Sequence, residues 1–121
     1  MINQKLKIKS RQIFEEHIDS YIEEHDGLIE KFENGLKIVY DNIVILVQDE
    51  MVLIHKENMK WIIEKEKKNI GEYHTPYGIV EVELQGKEVR ILEEPVILKL
   101  SYWIKIGNAK EYVNELQIEC L

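Results

Sequence analysis

From Val96 to Ile106 the chain alternates strictly. Val96, Leu98, Leu100, Tyr102, Ile104 and Ile106 fall on one side, and Ile97, Lys99, Ser101, Trp103 and Lys105 on the other. A period of two over so long a run requires an extended strand, because a helix would scatter the same apolar residues around its circumference. A strand with one apolar face has to bury it, and an antiparallel sheet over a core does so. The pattern recurs. Val80, Val82 and Leu84 alternate with Glu81 and Glu83, Leu116, Ile118 and Cys120 with Gln117 and Glu119, and Leu6 and Ile8 with Lys5, Lys7 and Lys9.

Turn signals separate these runs at short intervals. Asn34-Gly35 divides Leu28–Phe32 from Leu36–Tyr40 and suits the positive φ angles of a type I′ turn. Asp41-Asn42 precedes Ile43–Val47, and Asp49-Glu50 precedes Met51–Lys56. Gln85-Gly86 reads as a break between Ile79–Leu84 and Val89–Leu92, and Gly107-Asn108 as one between Val96–Ile106 and Tyr112–Cys120. Pro95 suits a strand start, where a missing N–H is tolerated. Hairpins in succession make an antiparallel meander, since parallel pairs need long crossovers.

Two segments read either way. In Ser10–Ile22, Ile13, Phe14, Ile18, Tyr21 and Ile22 have helical spacing with Ser10 as a cap. They equally fit strands flanking a turn near His17–Asp19, with Asp26-Gly27 as a bulge or bend. Glu57–Lys68 is rich in helix formers, with Met59, Ile62 and Ile63 as a stripe.

At 121 residues, 45% hydrophobic and 32% charged, residues 1–121 form one domain with a real core. The net charge of −7 repels a phosphate backbone, so nucleic acid is not an expected partner. Only Arg11 and Arg90 are arginines. Ile43–Val47 is too short to cross a bilayer, no signal-peptide pattern opens the chain, and Cys120 is the only cysteine. A cytoplasmic protein with no membrane association is the expectation.

The order of several short elements resembles the YwiB-like family of small bacterial proteins of unknown function. The resemblance rests on Lys9-Ser10-Arg11-Gln12, a strand ending at Tyr40-Asp41, Val52–Lys56 before Trp61-Ile62-Ile63, and above all Gly71–Gly78 with its Thr75-Pro76-Tyr77-Gly78 turn. A closing hairpin with Gly107 and Asn114-Glu115-Leu116 completes it. It implies an all-β, single antiparallel calycin- or lipocalin-like barrel of about eight strands in meander order. It implies no activity and no cofactor.

The residues with most chemical interest are in and around Tyr73–Gly78. Pro76 fixes its own φ and pushes Thr75 toward extended geometry, and Gly78 accepts a φ that other residues resist. Tyr73 and Tyr77 can each pack a ring and offer a hydroxyl at a barrel mouth, with His74 as a polar contact. The plainer reading is a shaped turn that closes one end of the core. Tyr102 joins these as a lining residue. Arg90 reads as outward-facing or, alternatively, as an inward anchor for a ligand carboxylate. His17, His25, His55 and His74 form no zinc motif, and no metal site is expected, although His55 and His74 could approach each other on extended strands. The many carboxylates show no glycosidase spacing, no nucleophile elbow or phosphate-binding loop occurs, and Cys120 has no evident activating partner.

Three functions remain open at this point. The first is a module binding a small apolar or amphipathic ligand, lined by Leu98, Leu100, Tyr102, Val80 and Val82 with Tyr73 and Tyr77 at the rim. The second is a filled barrel acting as a homodimer or protein-interaction module, with Trp103 and Ile97 outside. The third, an enzyme, has least behind it.

Overall fold

The computed structural model describes residues 2–121. Ten strands follow in order: β1 (Ile2–Phe14), β2 (His17–Phe32), β3 (Gly35–Tyr40), β4 (Ile43–Gln48), β5 (Met51–Lys56), β6 (Met59–Glu64), β7 (Lys68–Thr75), β8 (Gly78–Leu92), β9 (Ile97–Ile106) and β10 (Tyr112–Cys120). Each pairs antiparallel with its sequence neighbour, and β10 returns to β1 through Leu6↔Cys120 to Ile13↔Val113, so the sheet closes into a barrel. The meander is as the hairpin pattern implies, and its closure is as the family resemblance implies. The strand count is ten rather than about eight. No helix is long and apolar enough to cross a membrane among the described residues.

Both ambiguous segments are β. Ser10–Ile22 is a hairpin turned at Glu15-Glu16, where Glu15 has φ 54°. Ile13 pairs with Ile18, so a spacing that resembles a helical stripe is a mirror relation across a turn. The turn precedes His17–Asp19, and Asp26-Gly27 stays in register with Lys5 and Gln4 instead of forming a bulge. Glu57–Lys68 holds the β5–β6 turn, β6 and the β6–β7 turn, its helix propensity overridden by pairing with β5.

Three turn expectations change. Asn34-Gly35 is not a type I′ turn. The turn residues are Glu33 and Asn34, neither Asn34 nor Gly35 has positive φ, and Gly35 is already paired in β3. Glycine is required there because a Cβ would collide with the Val47 carbonyl oxygen. The I′ signature falls instead at Asp41 (φ 44°) and Asn42 (φ 62°). Gln85-Gly86 does not break a strand. β8 runs through, with a register shift between Gly86 and Glu88 that leaves Lys87 unpaired as a bulge. Pro95 lies in the β8–β9 turn, ahead of the strand start at Ile97.

The inward faces fill the barrel. Leu6, Val47, Val52, Ile63, Val82 and Leu98, spread over six strands, are all 0% exposed. A lumen wide enough for a ligand would leave its lining open to water. Ten strands enclose more space than eight, and large side chains, with Trp61, Tyr40 and Tyr102 among the buried cluster, occupy it.

Pairing around the ring is uneven in two places. β2 pairs with β1 along its whole length from His17, but with β3 only from Gly27 to Phe32. The stretch His17–Asp26 therefore has β1 on one side and an unpaired edge on the other. β6 and β7 pair only at Met59↔Tyr73 and Lys60↔Glu72. Below that point the β6–β7 turn crosses to β8, where Lys65 bridges Gly86 and Glu66 N donates to Gly86 O at 2.9 Å.

Candidate functional site: the tyrosine-rich mouth and the outer face

The alternation that turns Tyr102 inward from β9 has counterparts on three other strands. Tyr40, Tyr73 and Tyr112 also pack against the core, so four of the six tyrosines look inward. They cluster toward the end that carries the β1–β2, β3–β4, β5–β6, β7–β8 and β9–β10 turns. Asn114 Nδ2 donates to the Tyr102 hydroxyl at 2.7 Å, while Asn114 Oδ1 is buried with no protein partner. Burial, partly offset by the Asn114 bond, pushes Tyr102 up to about 12. Burial, reinforced by the nearby Glu23 and Asp41 charges, also takes Tyr40 to about 12. Burial raises Tyr112 as well. The His25 ring lies 5.4 Å from that of Tyr40, and its Nε2 donates to Glu23 at 2.9 Å. Phenols held this far above neutrality are hydrogen-bonding groups rather than bases or nucleophiles. The Cys120 thiol is also pushed up, chiefly by burial, which makes it a weaker nucleophile.

The residues singled out from sequence do not form one site. Tyr73 and Tyr102 face inward. Tyr77 is 99% exposed and closes nothing, which corrects its expected place at the rim. The reason is the turn itself. Thr75 Oγ1 donates to Gly78 O at 2.7 Å and accepts from Tyr77 N at 3.2 Å, with Gly78 at φ 131°, so the Thr-Pro-Tyr-Gly sequence staples its own backbone and points Tyr77 into water. His74 is exposed on the outside. With His55 and Lys60 it lines a shallow hollow of about 420 Å³, so the two histidines do share a surface. Among the described residues no group of three or more His, Cys, Asp or Glu side chains is placed to hold a metal. Arg90 is exposed and has outward parity, in line with the outward-facing reading, and the alternative of an inward anchor for a ligand carboxylate falls away. Val82, Leu98 and Leu100 have the expected inward parity, as packed core rather than a cavity wall, and Val80 shares that parity but is only half-buried.

The outer face is organised in cross-strand rows. Ile18, Ile13, Val113 and Trp103 are successive partners across β2, β1, β10 and β9. Val113 is 8% exposed although it points outward, because it lies between Ile13 and Trp103. Trp103 is 37% exposed, and Lys87 Nζ sits 4.6 Å from its ring centroid, so the bulge at Lys87 supplies a cation–π contact. Ile97 shares the face of β9 with Trp103 but lies at the far end of the strand, so the expected Trp103–Ile97 patch is replaced by this belt. Reading one strand at a time could not assemble it. The one available signal was the symmetric placement of Ile13 and Ile18 about Glu15-Glu16.

A neighbouring row holds Lys9, Gln117, Lys99 and Arg90. It borders an outer hollow of about 290 Å³ whose polar lining is Lys9, Arg11, Lys99, Ser101 and Gln117 together with the carboxylates Glu88 and Glu115.

No curated protein sequence matches the chain. Among solved structures, it is similar to the crystal structure of the ywiB protein from Bacillus subtilis. The TM-score is 0.77 at 15% identity, covering 98% of this chain and 92% of that one, a likeness that speaks to the fold. The family model described as a domain of unknown function, DUF1934, matches residues 4–118. The chain therefore belongs to this YwiB-like family of unknown function.

Proposed function

We propose that this barrel is a recognition module without catalysis that works from its outside, by accepting an extended segment of a partner protein along the free edge of β2. The observation that carries the reading is the edge His17–Asp26, which β1 covers on one side only. Ile18 and Ile22 stand along it at 50% and 64% exposure. Unpaired N–H and C=O groups in a row invite another strand, and side chains on alternate positions give it specificity. The apolar belt of Ile18, Ile13, Val113 and Trp103 continues the docking surface away from the edge.

The partner's chemistry follows from charge. Asp19, Glu23, Glu24 and Asp26 make the edge acidic. A second copy of the chain would bring the same carboxylates against themselves, whereas a segment alternating basic and apolar residues would complement them. The lipocalin-like use of such a barrel, with a small apolar or amphipathic ligand in the lumen, has less support because the inward side chains are closed to water.

A peptide of alternating lysine and valine is a suitable probe. Saturable binding that slows hydrogen exchange at β2 amides, and that Glu23→Lys with Glu24→Lys abolishes, supports the reading. Unchanged β2 exchange, a dimer formed through β2 in place of peptide binding, or a small-molecule mass retained in native mass spectrometry would each overturn it.

A further inference from the structure

We propose, independently of the edge, that the outer face of β1, β10, β9 and β8 carries a binding site for a multivalent oxyanion, the group that a phosphorylated or polycarboxylate small molecule presents. Lys9, Gln117, Lys99 and Arg90 are consecutive cross-strand partners, so their side chains rise from one row on one face. Lys99 and Arg90 are directly opposite each other, a like-charge pairing that destabilises a sheet unless something offsets it. The rows on either side each set two carboxylates against one cation: Arg11 with Glu115 and Glu88, and Lys7 with Glu24 and Glu119. Arg11 bonds Glu115 at 3.1 Å. Among the described residues, Lys9, Lys99 and Arg90 take part in no ion pair. A chain with net charge −7 thus sets three cations in a row with no carboxylate in register, and both of its arginines on this face.

The surface there is concave. Lys9 and Lys99 are half-buried at the hollow of about 290 Å³, with the Gln117 amide between them and the Ser101 hydroxyl alongside as further donors. Neighbouring strands lie about 4.8 Å apart. The two ammonium groups therefore reach a common point above Gln117 from either side, and Arg90 flanks Lys99. Arg11 is held by Glu115, and Glu88 lines the hollow from the Ser101 row, so the anion's place is on the other side, over Lys9, Gln117 and Lys99. Lys9 and Lys99 at the hollow, with Arg90 one strand beyond Lys99, favour a dianion or trianion over chloride, since each added negative charge meets the same fixed field.

The test is a two-dimensional amide NMR titration of the whole chain with inorganic phosphate in one arm and tricarballylate in the other, ionic strength held constant with sodium chloride. Saturable shifts at Lys9, Gln117 and Lys99 are expected, with the tighter arm naming the source. Lys9→Gln or Lys99→Gln should weaken binding about fivefold to tenfold, and Lys60→Gln on β6 should leave it unchanged. Shifts in neither arm, shifts that chloride alone reproduces, or equal affinity in Lys99→Gln and the parent would overturn the site. As a second readout, the better anion should raise the unfolding midpoint of the parent but not of the Lys9→Gln, Lys99→Gln double variant.

Discussion

The Tyr102–Asn114 pair offers a sharp test of whether the mouth is built for packing. Asn114 Nδ2 donates to the Tyr102 hydroxyl at 2.7 Å, Tyr102 is 3% exposed, and Asn114 Oδ1 already lacks a protein partner. Tyr102→Phe keeps the ring but orphans the second end of the Asn114 amide, so it should cost about 1–3 kcal/mol, the desolvation of a buried group left without a bond. Asn114→Leu removes the unpartnered oxygen but strands the Tyr102 hydroxyl, and should cost about 1–2 kcal/mol. The double variant replaces both partners by apolar groups of similar shape. It should be destabilised by about 1–2 kcal/mol less than the sum of the singles, because the second change removes the orphan that the first created. Urea unfolding at neutral pH, read as midpoint shifts at constant m, measures all three. Singles that add to within about 0.5 kcal/mol, or a Tyr102→Phe variant as stable as the parent, would refute the reasoning and leave the buried hydroxyl without an energetic role.

Alkaline pH offers a second check. Tyr40 and Tyr102 sit at about 12 in the fold against 10.0 unfolded, so the folded state keeps protons that the unfolded chain releases. Their stabilising contribution is complete below pH 10 and is lost as pH rises toward 12. Urea midpoints should therefore fall more steeply over that window in the parent than in a Tyr40→Phe, Tyr102→Phe variant. Gly86→Ala should cost about 2 kcal/mol or more. Its Cβ would lie 2.6 Å from Glu64 O and 3.0 Å from Lys65 N, backbone atoms that cannot step aside without parting the β6–β8 seam, and thermal unfolding would register the loss. Tyr77→Ser should leave the unfolding midpoint unchanged, since the ring is 99% exposed and the turn is held through Thr75. A measurable drop would give that ring a packing role that its geometry denies.

Much of the architecture was legible from residues alone. Val96–Ile106, Val80–Leu84 and Leu116–Cys120 state which side of each strand is dry, because side chains alternate across a strand regardless of what lies beyond it. The buried faces found for Val82, Leu98, Leu100, Tyr102, Ile104 and Ile118 are those faces. The YwiB-like assignment was carried by element order and the Thr75–Gly78 turn, whose hydroxyl staple is a local device written in four residues. The turn at Asp41-Asn42 is local in the same sense, because Asp and Asn tolerate positive φ where they stand.

What the sequence could not decide is non-local. Whether Gly86 ends a strand or lets one pass close to Glu64 depends on a neighbour many residues away, and the answer lies in the Glu64 backbone, which leaves no room for a Cβ, rather than in the glycine. Whether Arg90 looks in or out turned on a single bulged residue, Lys87, because one extra residue reverses every side chain after it. The belt of Ile18, Ile13, Val113 and Trp103 and the row of Lys9, Gln117, Lys99 and Arg90 exist only through register across strands distant in the chain. Alternation settles the face on which a residue stands. Only closure of the ring settles its neighbours there, and recognition depends on neighbours.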